Sequence, residues 1–130
     1  MHKIRITADR REDMIDITRR AESVVAQLGK KEGICCLFVR HTTCALTINE
    51  NADPDVQIDI IAFLRKLVPQ SGQGFRHFEP NSDAHIKASL VGHSVLIPFA
   101  DGELLLGRWQ GIYLCEFDGP REREILLQIL

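Results

Sequence analysis

Residues 40–55, RHTTCALTINENADPD, constrain the fold of this chain more than any other stretch. Cys44, Leu46 and Ile48 alternate with Thr43, Ala45, Thr47 and Asn49, the pattern of a strand with one apolar face and one polar face. It runs straight into Asp53-Pro54, an N-cap followed by a first helical residue. Polar groups crowd both ends, and His41, Asn49 and Glu50 have no capping duty to explain them. Without a bulge, parity sets His41 on the face of Asn49, beside the threonine row.

The rest of the chain supplies partners for this strand. Residues 3–7 alternate and predict a first strand, suited to a sheet edge. A charged connection through Asp13 leads to Ile17, Ala21, Val24, Val25 and Leu28 at helical spacing, with Asp16 or Thr18 as cap and Gly29 as stop. Gly33 starts ICCLFVR, apolar on consecutive positions and therefore expected to be covered on both faces. Val56, Ile60, Phe63, Leu64 and Leu67 predict the apolar stripe of a second helix, which Pro69 ends. Residues 70–81 predict an ordered surface loop carrying His77 and Glu79. Ser82 or Asp83 caps a short helix through Val91, with Ile86 and Leu90 towards the core and His85 and Ser89 one turn apart on another face. VLIPF and ELLL, joined through Asp101-Gly102, predict a hairpin. WQGIYLCEF is a strand with Gln110, Ile112, Leu114 and Glu116 on one face, and EILLQIL closes the chain as another.

The order β-α-β-β-α-α-β-β-β-β predicts an α+β fold, with helices on one face of a mostly antiparallel sheet. At 130 residues and 45% hydrophobic content, residues 1–130 form a single domain with a substantial core. ICCLFVR and EILLQIL need cover that so few helices cannot give to both faces, so a symmetric homo-oligomer with packed sheets is expected.

A net charge of −2 supplies no basic field to draw the protein onto nucleic acid or an anionic membrane. The N-terminal MHKIRITADRRED is charged throughout, without the apolar run of a signal or membrane segment, so a cytoplasmic location is expected. Cys35, Cys36, Cys44 and Cys115 lie in apolar runs with no CxxC pair and are expected to be small core residues in a reducing compartment. No phosphate-loop, dinucleotide-binding or serine-elbow motif is present.

Three histidines come from different elements, His41 from a strand start, His77 from a loop and His85 from a helix start. Converging imidazoles can hold zinc with an open position, although a lone histidine is more often a hydrogen-bonded or surface group. Glu116 sits in an otherwise apolar strand near Trp109, Gln110 and Tyr113 and needs a partner if buried. One reading is a salt bridge to an arginine such as Arg121 or Arg123. The other is a general acid or base at a pocket edge.

HTTCALTINENADPDV, SDAHIKASLVG and GRWQGIYLCEFDGPR, in this order, resemble the YjbQ family, of the "secondary thiamine-phosphate synthase" type, over nearly the whole chain. The resemblance implies a small α+β domain assembled as a homotrimer. It also implies a polar cleft from the HTT, NEN, DAH and WQG segments. That cleft would hold His41, Glu50 and His85 as catalytic groups and Thr42, Asn49, Asp53, Trp109 and Gln110 as small-molecule contacts, with Glu116, from the residue reading above, as a further catalytic candidate for proton transfer. His41, His77 and His85 would be ligands for a divalent metal, zinc or magnesium. Arg108 and His93 depart from the family pattern and bear on selectivity. The implied reaction joins an aminopyrimidine diphosphate to a thiazole phosphate, and its departing diphosphate needs a divalent cation or several basic groups. Only Arg40, Lys87 and Arg108 are basic candidates near the cleft, which makes this chemistry a secondary activity with a different physiological substrate. A non-catalytic trimer binding a small molecule or metal ion is the alternative.

Overall fold

The computed structural model describes residues 1–130. In chain order the elements are β1 (His2–Ala8), β2 (Asp13–Asp16), α1 (Thr18–Leu28), β3 (Glu32–Val39), β4 (Cys44–Glu50), α2 (Pro54–Leu67), α3 (Ser82–Val91), β5 (Ser94–Ala100), β6 (Glu103–Leu104), β7 (Gln110–Glu116) and β8 (Arg121–Ile129). The expected α+β class and antiparallel pairing hold, but there are two sheets instead of one. One has the order β1-β8-β3-β5-β6 and the other β2-β7-β4. The chain changes sheet between β3 and β4, and the crossing is tied by backbone bonds from Val39 N–H to the His93 carbonyl and from Phe117 N–H to the Thr43 carbonyl.

β2 is the element that the sequence reading passes over. Its four residues, Asp-Met-Ile-Asp, are too short and too acidic at the ends to show a period, and β7 supplies the ladder that makes them a strand. Met14 stands opposite Cys115 and Ile15 opposite Leu114.

The main core lies between the sheets. Ile4, Leu37, Ile97, Ile125 and Leu127 come from the larger one, Cys44, Leu46, Ile112 and Leu114 from the smaller, and Ala21 and Val25 from α1. The alternation in β4 and β7 therefore resolves as expected, with Cys44, Leu46, Ile112 and Leu114 inward. Gly29 ends α1 at φ 64°, a left-handed position that suits a residue without Cβ. Asp101 and Gly102 take φ 51° and 78°, as a two-residue hairpin turn needs.

α2 and α3 cover the outer face of the smaller sheet, where Met14, Ala45, Tyr113, Cys115 and Phe117 meet Ala84 and Ala88. Thus only the far end of the polar-looking row of β4 meets water: Thr43 and Ala45 are buried, Thr47 is half-buried and Asn49 is exposed. α3 corrects the sequence reading. Ile86 and Leu90 are exposed, and Asp83, Ala84, Lys87 and Ala88 are buried instead. Two alanines let the helix approach the sheet closely, and Asp83 and Lys87 satisfy one another across one turn. On α2, Phe63 and Leu67 also stay exposed, since the helix buries no residue fully.

The opposite face of the larger sheet has no cover within the chain. Ile34 and Phe38 of β3 and Leu96 of β5 are exposed, at 39%, 42% and 58%. Leu126, opposite Phe38, adds a half-buried apolar group to the strip. Cys36 shares this outer side and is only half buried, unlike Cys35, Cys44 and Cys115. Burial pushes the Cys35 and Cys44 thiols up to about 11 and the Cys115 thiol up to about 12, so all three stay protonated and unreactive.

Candidate functional site

The β4-β7 ladder separates the proposed site residues into two groups. Cys44 pairs with Glu116 at one end and Glu50 with Gln110 at the other. At about 3.3 Å per residue, these ends stand about 20 Å apart. His41 and Asn49, aligned by parity in the sequence, are therefore not neighbours in one chain. A period of two sets the face of a strand and says nothing of distance along it.

At the Glu50 end, most of the polar density has local work. Asp53 Oδ1 accepts from Asp55 N–H at 2.9 Å and caps α2, while Glu50 Oε2 accepts from Asp53 N–H at 3.2 Å. Asn49 Oδ1 takes the Glu50 N–H at 2.7 Å. Gln110 Oε1 accepts from Gly107 N–H at 2.8 Å. Trp109 is half exposed, with the Arg108 guanidinium 4.7 Å from its ring centroid. Asp53 thus has a structural reason to be where it is. Asp53→Ala should cost about 1 kcal/mol of stability in urea melts, the usual loss for an N-cap.

The Glu116 end contains a buried ion pair. Arg123 Nε donates to Glu116 Oε1 at 2.7 Å and Arg123 Nη2 to Oε2 at 2.5 Å. The same Nη2 reaches Thr43 Oγ1 at 2.8 Å and the Thr43 carbonyl at 3.1 Å, and Glu116 Oε2 also accepts the Asp118 N–H at 2.9 Å. Both charged side chains are buried. Of the two readings of Glu116, this favours the salt bridge, with Arg123 as partner. Three of the four lone-pair sites of this carboxylate are taken and its side chain is wholly buried, which favours a structural role for Glu116 over the catalytic one.

His41 lies beside this pair. Its Nε2 accepts the Glu124 N–H at 3.0 Å. Burial, and then the nearby Arg123 charge, hold its pKa below the ordinary histidine value, so the ring is neutral at neutral pH. With Nε2 accepting, the neutral ring carries its proton on Nδ1. His41 lines a hollow of about 460 Å³ with Arg40, Glu122, Arg123 and Glu124, and Thr42 next to it is exposed. Arg40 Nη2 is bound to Glu124 Oε1 at 2.9 Å in an exposed pair.

His85 opens elsewhere, onto a shallow hollow with Phe75, Arg76, His77, Ser82 and Ile86. Its ring stands edge-on to His77 with centroids 5.6 Å apart. No group of three or more His, Cys, Asp or Glu side chains is placed to hold a metal ion. The expected His41-His77-His85 triad therefore does not form within one chain. His41 sits in the β3–β4 crossing against β8, whereas His77 and His85 belong to the 70–81 loop and α3, a separation that no sequence spacing records.

Lys87, one of the three basic candidates, is absent from the site altogether. Its Nζ donates to Asp83 at 2.8 Å and to Glu12 at 3.0 Å, and it is wholly buried. Arg11 joins Asp83 at 2.9 Å and Arg65 joins Glu12 at 2.9 Å, completing a network that ties α2 and α3 to the start of β2. Sequence reading missed these residues because a carboxylate and a lysine four apart normally mark an exposed helix face.

A two-sheet antiparallel α+β domain, with a helix-covered small sheet and a polar hollow where the chain changes sheet, defines the class of protein. The chain belongs to the family described as UPF0047 protein YjbQ-like, which it matches over residues 2–130. It is 50% identical over 130 residues to UPF0047 protein MJ1081 of Methanocaldococcus jannaschii, covering 100% of this chain and 94% of that one. UPF0047 protein YugU of Bacillus subtilis is 42% identical over 127 residues, 98% of this chain and 96% of the relative. Among solved structures, a YjbQ/UPF0047 family protein of Clostridium acetobutylicum superposes with a TM-score of 0.96 at 45% identity, covering 100% of both chains. The conserved protein TT1486 of Thermus thermophilus gives 0.93 at 41% identity, again over 100% of both. The resemblance to YjbQ stated from three motifs is thus the family itself, and the curled antiparallel sheets with three helices are shared with solved relatives.

Proposed function

We propose that the protein works as a cytoplasmic homotrimer in which a neighbouring copy walls the His41 hollow into a small-molecule site, with thiamine-phosphate synthesis as a secondary activity there. The observation that carries this reading is the uncovered apolar strip of the larger sheet. Along β8, Glu122 and Glu124 point to the same side as Leu126, so the strip runs into the hollow that His41 lines. A copy packed on Ile34, Phe38 and Leu96 would close that hollow and exclude water from it. No helix of the chain is long and apolar enough to cross a membrane. Protonated buried thiols suit a reducing compartment.

Within the hollow, the neutral His41 ring offers Nδ1–H as a donor that is present across the physiological range. Arg40, exposed and held by a single carboxylate, is the cation an anionic group would recruit. Both arginines of the hollow already have carboxylate partners, so it binds one modest negative charge better than a departing diphosphate. This is why thiamine-phosphate formation is read as secondary and the main substrate as a smaller anion.

Light scattering tests the assembly. The wild type should have the mass of a trimer, and Leu96→Glu should yield a folded monomer by circular dichroism. Turnover tests the chemistry, with aminopyrimidine diphosphate and thiazole phosphate as substrates. His41→Ala should lower product formation about 100-fold or more while leaving the trimer intact, the usual weight of a proton-donating side chain. Unchanged turnover in that variant would refute the catalytic role and leave the non-catalytic binding trimer.

A further inference from the structure

A second hollow lies on the opposite side of the sandwich from the apolar strip, between α2 and the outer face of the smaller sheet. Its volume is about 420 Å³, within the range of cavities that enclose small ligands. Met14, Cys115 and Phe117 line it from the sheet, Ile60 and Leu64 from α2, and Val91 from α3. α2 carries an apolar stripe yet buries none of its residues fully, so the helix stands off the sheet it covers. It is held by polar ties at its two ends. Gln57 Nε2 donates to the Glu50 carbonyl near the start, and Arg65 pairs with Glu12 near the finish.

The polar groups in this hollow are few and specific. Thr47, Asn49 and Asp59 are the ones that line it. Asn49 Oδ1 is already occupied by the Glu50 N–H, which leaves its amide N–H2 as a donor. Asp59 enters none of the ion pairs of the molecule. Cys115 supplies no reactivity, because burial keeps its thiol protonated.

We propose that this hollow binds a small aromatic amine: its ring among Met14, Ile60, Leu64 and Phe117, its ammonium group at Asp59, and an acceptor at the Asn49 amide. The apolar walls give most of the affinity, and the lone carboxylate decides the sign of charge accepted. The inference is independent of the His41 reading, since the two hollows are on opposite faces.

Two matched probes test it on the full-length protein, 1-naphthylmethylammonium and 1-naphthylacetate, which share a ring and differ in charge. Titrations followed by methyl NMR should move the signals of Met14, Ile60 and Leu64, with the ammonium probe bound about fivefold more tightly than the carboxylate, the usual scale for one half-exposed charge pair. Asp59→Asn, a change at an exposed helix position, should abolish that preference while both probes still bind. Equal affinity of the two probes for the wild type, shifts confined to residues elsewhere, or no binding at millimolar concentration would each overturn the proposal.

Discussion

Arg123→Met is expected to destabilise the protein by about 3–5 kcal/mol, the scale for stripping one partner from a buried ion pair. Glu116 would be left as an unpaired buried carboxylate, and the Thr43 hydroxyl and carbonyl would lose their shared donor. Glu116→Gln should also destabilise, because the amide nitrogen would face the donors of Arg123 or Asp118 and the buried Arg123 charge would lose its carboxylate. The double variant should be more stable than the sum of the single losses predicts, since each single change strands one buried charge and the double change strands none. Urea denaturation followed by circular dichroism at one fixed protein concentration measures all three. A double variant whose loss equals the sum of the singles would show that the pair is not coupled, and the structural reading of Glu116 would fall. The same variants separate structure from chemistry. If Glu116 serves only the fold, Glu116→Gln should lower product formation no more than it lowers the folded fraction.

The second large effect is expected at Lys87, where Lys87→Met should also cost about 3 kcal/mol or more, because Asp83 is wholly buried beside it. Arg11 and Arg65 stay in place and soften the loss. This network also sets the acid limit. Burial pushes the Asp83 and Glu12 carboxyls up, but Arg11 and Lys87 around Asp83, and Arg65 and Lys87 around Glu12, outweigh it and hold both below their ordinary range. A carboxyl depressed in the folded state contributes stability that is fully present above its unfolded pKa and is lost as pH falls through the folded one. Stability should therefore decline from about pH 4 downwards. In Lys87→Met the two carboxyls lose a cation and titrate at higher pH, so acid unfolding should begin earlier. An acid midpoint that stays in place in this variant would show that Lys87 does not depress them.

Much of the fold was legible in the sequence because its signals are local. The stripe Ile17 to Leu28 ended by Gly29, the Asp53-Pro54 start of α2, and the Asp101-Gly102 hairpin each rest on residues a few positions apart. The face parity of β4 and β7 was equally visible, and so was the need of Glu116 for a cation. Three things were not. β2 exists because β7 pairs with it, and its own four residues carry too little pattern. The inward face of α3 is chosen by Ala84 and Ala88 fitting a nearby sheet, against the larger apolar Ile86 and Leu90. The split of one expected sheet into two follows from the chain crossing over between β3 and β4, where Thr43 and His93 carbonyls meet distant donors.

The candidate site divides in the same way. The amino-acid sequence by itself determined which residues are polar where packing does not require it, the strand faces they occupy, and the family to which the chain belongs. Only the tertiary structure decided which of them meet: it joined Glu116 to Arg123, buried Lys87 between two carboxylates, and kept His41 out of the hollow that His77 and His85 share. The physical reason is that periodicity specifies direction from the backbone, while proximity depends on contacts between elements far apart in the chain, and those are set by burial and pairing in three dimensions.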